Sequence, residues 1–149
     1  MALSPNRYRL EKFLYNLFEN STELMPKIGN KLRMYRETAP PEPSFPYFVY
    51  SMKIDDYGVE EFFLDGGVAI SIYTMILNNR YGQNEAIQET IVELLHGKFY
   101  RHAEGTKDEV QVHFYMNDDR SVPTDNVDIE RTDLIFTFKI NSNYSPPSI

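Results

Sequence analysis

The chain has 149 residues, no cysteine, no tryptophan and a formal charge of −7. Without thiols it holds neither a disulfide framework nor a thiolate-zinc site, and an acidic chain lacks the basic footprint on which tight nucleic-acid and anionic-lipid binding rest. With 42% hydrophobic and 14% aromatic residues, the composition is that of a single globular domain and too apolar for a disordered chain.

The first thirteen residues are interrupted by Arg7, Arg9, Glu11 and Lys12, so no secretory leader is expected. Leu10, Phe13, Leu14, Leu17 and Phe18 recur at helical spacing, one buried stripe of a helix that Ser4 would cap and Pro5 would open. A helical turn is expected over Glu23–Ile28 before Gly29, then a short strand over Lys31–Arg36. Four prolines, Pro40, Pro41, Pro43 and Pro46, force an extended surface loop. Phe48, Tyr50, Met52 and Ile54 then alternate with Tyr47, Val49, Ser51 and Lys53, a strand with both faces partly apolar. Asp55–Gly58 reads as a turn, Glu60–Leu64 as an extension of the hairpin, and Asp65-Gly66-Gly67 as a second tight turn.

Val68, Ile70, Ile72 and Ile76 alternate with small and polar residues in the clearest strand of the chain. This apolar stretch, Gly67–Leu77, is far shorter than the roughly 20 residues of a membrane span. After a loop over Asn78–Gly82, Asn84 is expected to cap a second helix with the stripe Ile87, Ile91, Leu94 and Leu95. The opposite face carries Glu85, Gln88, Glu89 and Glu93, and Gly97 ends the helix. Val110, Val112, Phe114 and Met116 form a strand, and Asn117–Asp125 reads as a long polar loop. Val127 and Ile129 start a further strand on odd numbers, whereas Leu134, Phe136, Phe138 and Ile140 follow on even ones. That change of parity asks for a bulge near Arg131–Asp133. Residues 1–140 are thus expected to form one α+β domain, a mainly antiparallel sheet with two main helices on one face. Residues 141–149 read as a loose tail.

Chemical motifs are sparse. His96, His102 and His113 make no metal-binding pattern, with His102 read in a loop. The aspartate pairs Asp55-Asp56 and Asp118-Asp119 sit where turns favour Asp, and the spacing from Asp118 to Asp128 does not match a calcium loop. No serine lies in a nucleophile elbow, and Gly66-Gly67 is not a phosphate loop. Arg80, Lys98, Arg101 and Lys107 read as a solvated helix end. The aromatics Tyr47, Phe48, Tyr50, Phe62 and Phe63 lack basic neighbours and suit a core or a subunit interface better than base stacking. No catalytic, cofactor-binding or metal-ligating residue is assigned, and no enzymatic activity is expected.

The order of elements resembles the tail terminator, or tail completion, proteins of long-tailed bacteriophages. The resemblance is carried by the N-terminal helix, the Pro-rich loop ending in Pro46-Tyr47-Phe48-Val49-Tyr50, the segment Asp65–Ile76, the helix Ala86–Leu95, and Arg131-Thr132-Asp133-Leu134-Ile135-Phe136. It spans about residues 6–140. It implies a virion protein, assembled in the host cytoplasm, that closes into a homohexameric ring on the last ring of tail-tube protein. Such a ring stops tube growth and presents a surface to the head-completion proteins of the neck. A head-completion stopper or adaptor is the neighbouring alternative, and a small enzyme or binding module the more distant one.

Six globules with a radius of gyration of roughly 15 Å leave a central hole of about 35–40 Å, enough for duplex DNA to pass without tight binding. Ring closure requires two different patches on each subunit. The candidates are Tyr47 with Val49, and Tyr73 with Met75. Loops that would grip neighbours carry Asp56, Tyr57, Glu60 and Glu61, and Asp118, Asp119 and Arg120.

Overall fold

The computed structural model describes residues 5–55, 63–79, 82–106 and 109–142. In chain order these form α1 (Pro5–Glu19), a 3-10 turn (Met25–Ile28), β1 (Met34–Arg36), β2 (Tyr47–Asp55), β3 (Phe63–Met75) and a second 3-10 turn (Ile76–Asn79). Then come α2 (Gln83–Leu95), β4 (Lys98–His102), β5 (Val110–Val122) and β6 (Ile129–Ser142). The six strands make one sheet in the order β1-β2-β3-β6-β5-β4. Only the β1–β2 pairing is parallel; the other four are antiparallel. This is the α+β architecture that the alternating strands and two amphipathic helices imply.

Parity along each strand selects the buried face. Phe48 and Met52 on β2, Val68, Ile70 and Ile72 on β3, Val110, Val112 and Phe114 on β5, and Leu134, Phe136, Phe138 and Ile140 on β6 are all buried. Against them lie Leu10, Phe13, Leu14 and Phe18 of α1 and Ile87, Ile91 and Leu95 of α2, in one core cluster. Phe18 meets Phe48 edge-on and Phe13 stacks on Phe114. Each fully buried Leu or Phe of this kind stabilises the fold by roughly 1.5–3 kcal/mol. Both helices therefore sit on one face, and the odd-numbered face of the sheet is left without a covering element among the described residues.

Several local expectations are corrected. Asp65-Gly66-Gly67 is not a turn: these residues continue β3 in register with Lys53, Ile54 and Asp55. Gly66 is required there because a Cβ would come within 2.6 Å of the Phe138 ring and would run into the Lys53 carbonyl. Asn84 does not cap α2. The N-cap is Gly82 at φ +76°, and Asn84, the second residue of the helix, lies buried with its Nδ2 donating to Thr74 Oγ1 at 2.9 Å. Gly97, at φ +69°, turns the chain out of α2 into β4, so His102 belongs to a strand and not a loop.

Asn117–Val122 is likewise strand and not loop, because pairing with β6 satisfies its backbone whatever its side chains. The bulge falls on β5, between Met116 and Asp118, while β6 pairs with β3 without interruption from Ile129 to Asn141. Val127 precedes β6 and is 86% exposed, and Ile129 lies on the uncovered face opposite Met75, so neither marks the buried parity and β6 needs no bulge. β6 runs on through Ser142, and residues 143–149 of the expected tail lie outside the described residues, as does Ser4.

Candidate assembly interface

The uncovered face is built from odd-numbered residues, except beyond the β5 bulge, where even-numbered ones take that side. Across the sheet, Tyr47 pairs with Tyr73, and Tyr73 with Arg131. The two tyrosine rings stack at 4.6 Å with planes 5° apart, and the Arg131 guanidinium lies over Tyr73, 5.6 Å from its centroid. Phe45 and Tyr35 pack on Tyr47 at 5.1 and 6.2 Å. Arg131 is itself held by Asp133, with two N–H···O bonds of 2.9 Å. Burial pushes the Tyr47 phenol above its ordinary pKa, Tyr73 and Tyr35 add to the rise, and Arg131 opposes it. The aromatic cluster is thus one contiguous block at the end of the sheet where β2 begins and β3 ends.

Tyr47, Val49, Tyr73 and Met75, two patches in the linear sequence, therefore share one surface. Val49 lies opposite Ser71, next to the tyrosine pair. Tyr47 is almost enclosed by its own chain, while Val49, Tyr73 and Met75 stay half-exposed. Asp118 and Arg120 sit on the same face, on β5, in an ion pair of 2.8 Å. Asp119 turns to the helix side, opposite Leu134, and its backbone N–H donates to Asp118 Oδ1 at 2.9 Å. Asp118 is held below the usual carboxylate range, first by Arg120 and then by this N–H. Asp56, Tyr57, Glu60 and Glu61 lie outside the described residues, as do Phe62, Arg80 and Lys107.

Three features escaped the sequence reading. A shallow trough of about 270 Å³ runs over the small residues of the open face, lined by Ser51, Lys53, Gly67, Ala69, Ile135 and Thr137 among others. A second aromatic group, Phe99, His113 and Tyr115, joins β4 to β5, with Phe99–His113 at 5.7 Å and His113–Tyr115 at 5.0 Å. At the end of the sheet, Ile76, Leu77 and Val127 are exposed, beside a cleft of about 490 Å³ lined by Val122, Pro123, Ile129 and Arg131.

Among the described residues the sheet edges are incomplete as well. β1 covers β2 only as far as Tyr50, and β4 covers β5 only as far as Phe114. The bulge and the Asp118–Arg120 pair guard the free half of β5, the usual protection of an edge strand.

Elsewhere the polar groups knit the fold. Glu11 on α1 is reached by Arg7 at 3.0 Å, Arg36 at 3.6 Å and the Tyr50 hydroxyl at 3.1 Å. Burial and the Glu11 carboxylate push the Tyr50 phenol up to about 12. Glu109 accepts bonds from Gly105 N–H at 2.8 Å, Gln111 at 2.6 Å and Arg101 at 3.1 Å. The Gly105 bond first, then Gln111 and Arg101, hold its carboxyl at about 2. Among the described residues no group of three or more His, Asp or Glu side chains is placed to hold a metal ion. No described helix is long and apolar enough to cross a membrane.

No family model and no curated protein matches the chain. Solved structures do. A chain from the virion of a native gene transfer agent (GTA) particle superposes with a TM-score of 0.62 at 13% identity, covering 87% of this chain and 92% of that one. A second solved structure, which carries no functional description, superposes at 0.63 with 12% identity and covers 99% of both chains. At these identities the matches establish a shared fold, nearly end to end.

Proposed function

We propose that this chain is a structural protein of a phage-like virion and, more narrowly, a tail terminator. In this reading several copies close into a ring, six by the resemblance, on the last ring of tail-tube protein. The ring stops tube growth and offers its other side to the head-completion proteins of the neck. The observation that carries the reading is the near end-to-end match to a virion chain of a gene transfer agent particle, joined to the order of elements that resembles tail terminators.

The physical features agree with a role performed by shape. An uncovered sheet face and half-free edges at both sides supply contact surface to neighbours. The net charge of −7 per chain gives six copies about −42, and wall charge of that sign lets a DNA duplex slide without adhering. Residues 56–62 link β2 to β3, which pair as far as Asp55 and Asp65, and their sequence carries Asp56, Glu60 and Glu61. The reading assigns this linking sequence to gripping the tube or the neck.

The test is tube growth in vitro. Tail-tube protein from the same virion, polymerised with increasing amounts of this protein, should give progressively shorter tubes that cannot be extended by fresh subunits. Tubes of unchanged length, with the protein bound instead to head-completion rings, would assign it to the stopper side of the neck.

A further inference from the structure

The end of the sheet where β3 runs into the second 3-10 turn keeps apolar residues wet. Ile76, Leu77 and Val127 are 48%, 77% and 86% exposed, beside the cleft of about 490 Å³. Its walls are held in place by their own backbone. Ile76 N–H donates to the Asp128 carbonyl at 2.9 Å, and Asp128 N–H donates to Asn126 Oδ1 at 2.9 Å. The Thr124 hydroxyl is shared between the Asn126 and Ile129 carbonyls, at 2.6 and 3.1 Å. Arg131 lines the cleft and also lies over Tyr73, so the cleft continues onto the Tyr73–Tyr47 stack. Asp133 engages Nε and Nη2 of Arg131, and among the described residues Nη1 is left for a further acceptor. Apolar walls, aromatic rings and a donor beside them are what Pro-rich segments select.

The chain carries such a segment in its own sequence. Residues 143–149, Asn-Tyr-Ser-Pro-Pro-Ser-Ile, set Pro146-Pro147 between Tyr144 and Ile149 and hold no charge. The loop and strand that form the cleft carry Asp125, Asp128 and Glu130, while Arg131 is already matched by Asp133. An uncharged segment meets these acids without repulsion. The linking sequence 56–62 brings Asp56, Glu60 and Glu61 and would be repelled, and residues 1–4 hold no proline.

Reach decides whose segment it is. β6 starts at the cleft with Ile129 and ends thirteen positions on, at Ser142. At 3.4 Å per residue that is about 44 Å. Seven residues span at most about 25 Å. Residues 143–149 therefore fall short of the cleft of their own copy and can enter only that of another.

We propose that residues 143–149 of one copy dock in the sheet-end cleft of the next, their Tyr, Pro and Ile side chains covering Ile76, Leu77 and Val127. The contact rests on the ring reading and deepens it by naming what joins one subunit to the next. Its two halves lie at opposite ends of one sheet, so it is heterologous and passes from copy to copy until it closes.

The cysteine-free sequence makes the test direct. Ser148→Cys and Ser121→Cys, the latter in the cleft, are combined in one chain and treated with a short bismaleimide, in solution and on tail tubes. The double variant should give a ladder of covalent species beyond the dimer, and each single variant no species above the dimer. Adding V127D, at an exposed position that the fold does not need, should cut the ladder about tenfold by putting a charge where apolar surface is buried. Adding P146G and P147G should weaken it about threefold by raising the ordering cost of the segment. Circular dichroism confirms that every variant folds.

A double variant without a ladder under both conditions would overturn the proposal. So would a ladder indifferent to V127D, or a product linked only within one chain. An S121C thiol shielded from a maleimide dye by added tubes, with no ladder, would give the cleft to the tube protein and overturn it equally. A ladder in a protein that fails to cap tubes upholds this contact and removes the capping role. A chain cut after Ser142 that still forms rings and caps tubes keeps the function and removes this contact.

Discussion

Replacing Gly66 by alanine should loosen the β2–β3 pairing at Ile54 and the β3–β6 pairing at Phe138. Gly66 lies opposite Ile54 on one side and Phe138 on the other. The added methyl would sit 2.6 Å from Cε1 and Cζ of Phe138 and against the Lys53 carbonyl. The ring cannot swing away, because Phe138 is 2% exposed and packs edge-on against Phe114 at 5.7 Å. In an unobstructed strand the change from Gly to Ala gains about 0.5–1 kcal/mol. Overpacking of a filled core costs about 1–3 kcal/mol, and here a ring and a backbone carbonyl both obstruct. The expected net loss is about 2 kcal/mol, a fall in Tm of about 4–8 °C for a chain of this length.

Gly67→Ala is the control. Its methyl would meet only the Phe136 carbonyl, at 3.3 Å, and should change stability by less than about 1 kcal/mol. Urea unfolding followed by circular dichroism reads both variants, with the m-value checking that the unfolded state is unchanged. Phe138→Leu, combined with G66A, should return about 1 kcal/mol of the loss as coupling between the two sites. Equal stabilities for G66A and G67A, or additive effects of G66A and F138L, would refute the reasoning.

Deletion of Asp56–Glu61 should leave the thermal transition within a few degrees of wild type and yield heads and tails that do not join; normal virions from this deletion would remove this linking sequence from the assembly role. Glu109, its carboxyl depressed to about 2 from the ordinary 4.5, contributes stability that is complete above its unfolded pKa and is lost as pH falls from there toward 2. E109Q should therefore flatten the dependence of Tm on pH in that acid window and leave the neutral-to-basic range parallel to wild type. Tyr50, raised to about 12 by burial and Glu11, has the reverse sign: its contribution is intact below pH 10 and fades as pH climbs to 12, a slope that Y50F should remove. Asn84→Ala, which takes away the donor to buried Thr74, should cost about 1–3 kcal/mol in urea unfolding.

The elements with one wet and one dry side were legible in the sequence. The stripe Leu10–Phe18, the alternation of Val68–Ile72 and that of Leu134–Ile140 each report burial directly, and all three are buried as the spacing implies. What burial does not report was missed. β4 is an edge strand with Phe99 exposed and Tyr100 and His102 half-buried against core Phe13, so it has no apolar alternation to read. The outer half of β5, Asn117–Val122, is composed of turn-forming residues but extends because β6 supplies its hydrogen bonds. Asp65-Gly66-Gly67 has the composition of a turn for a tertiary reason, the ring of Phe138 72 residues away from Gly66 along the chain.

The assembly surface was half-legible. Parity placed Tyr47, Val49, Tyr73 and Met75 outside the core, but only register joins them into one patch.

Electron microscopy of purified tail tubes incubated with the protein tests the central claim most directly. Class averages of the tube ends should show one added annulus, sixfold by the resemblance, with an axial hole wide enough for duplex DNA. Bare tube ends, with the protein remaining in solution as a folded single subunit, would contradict it.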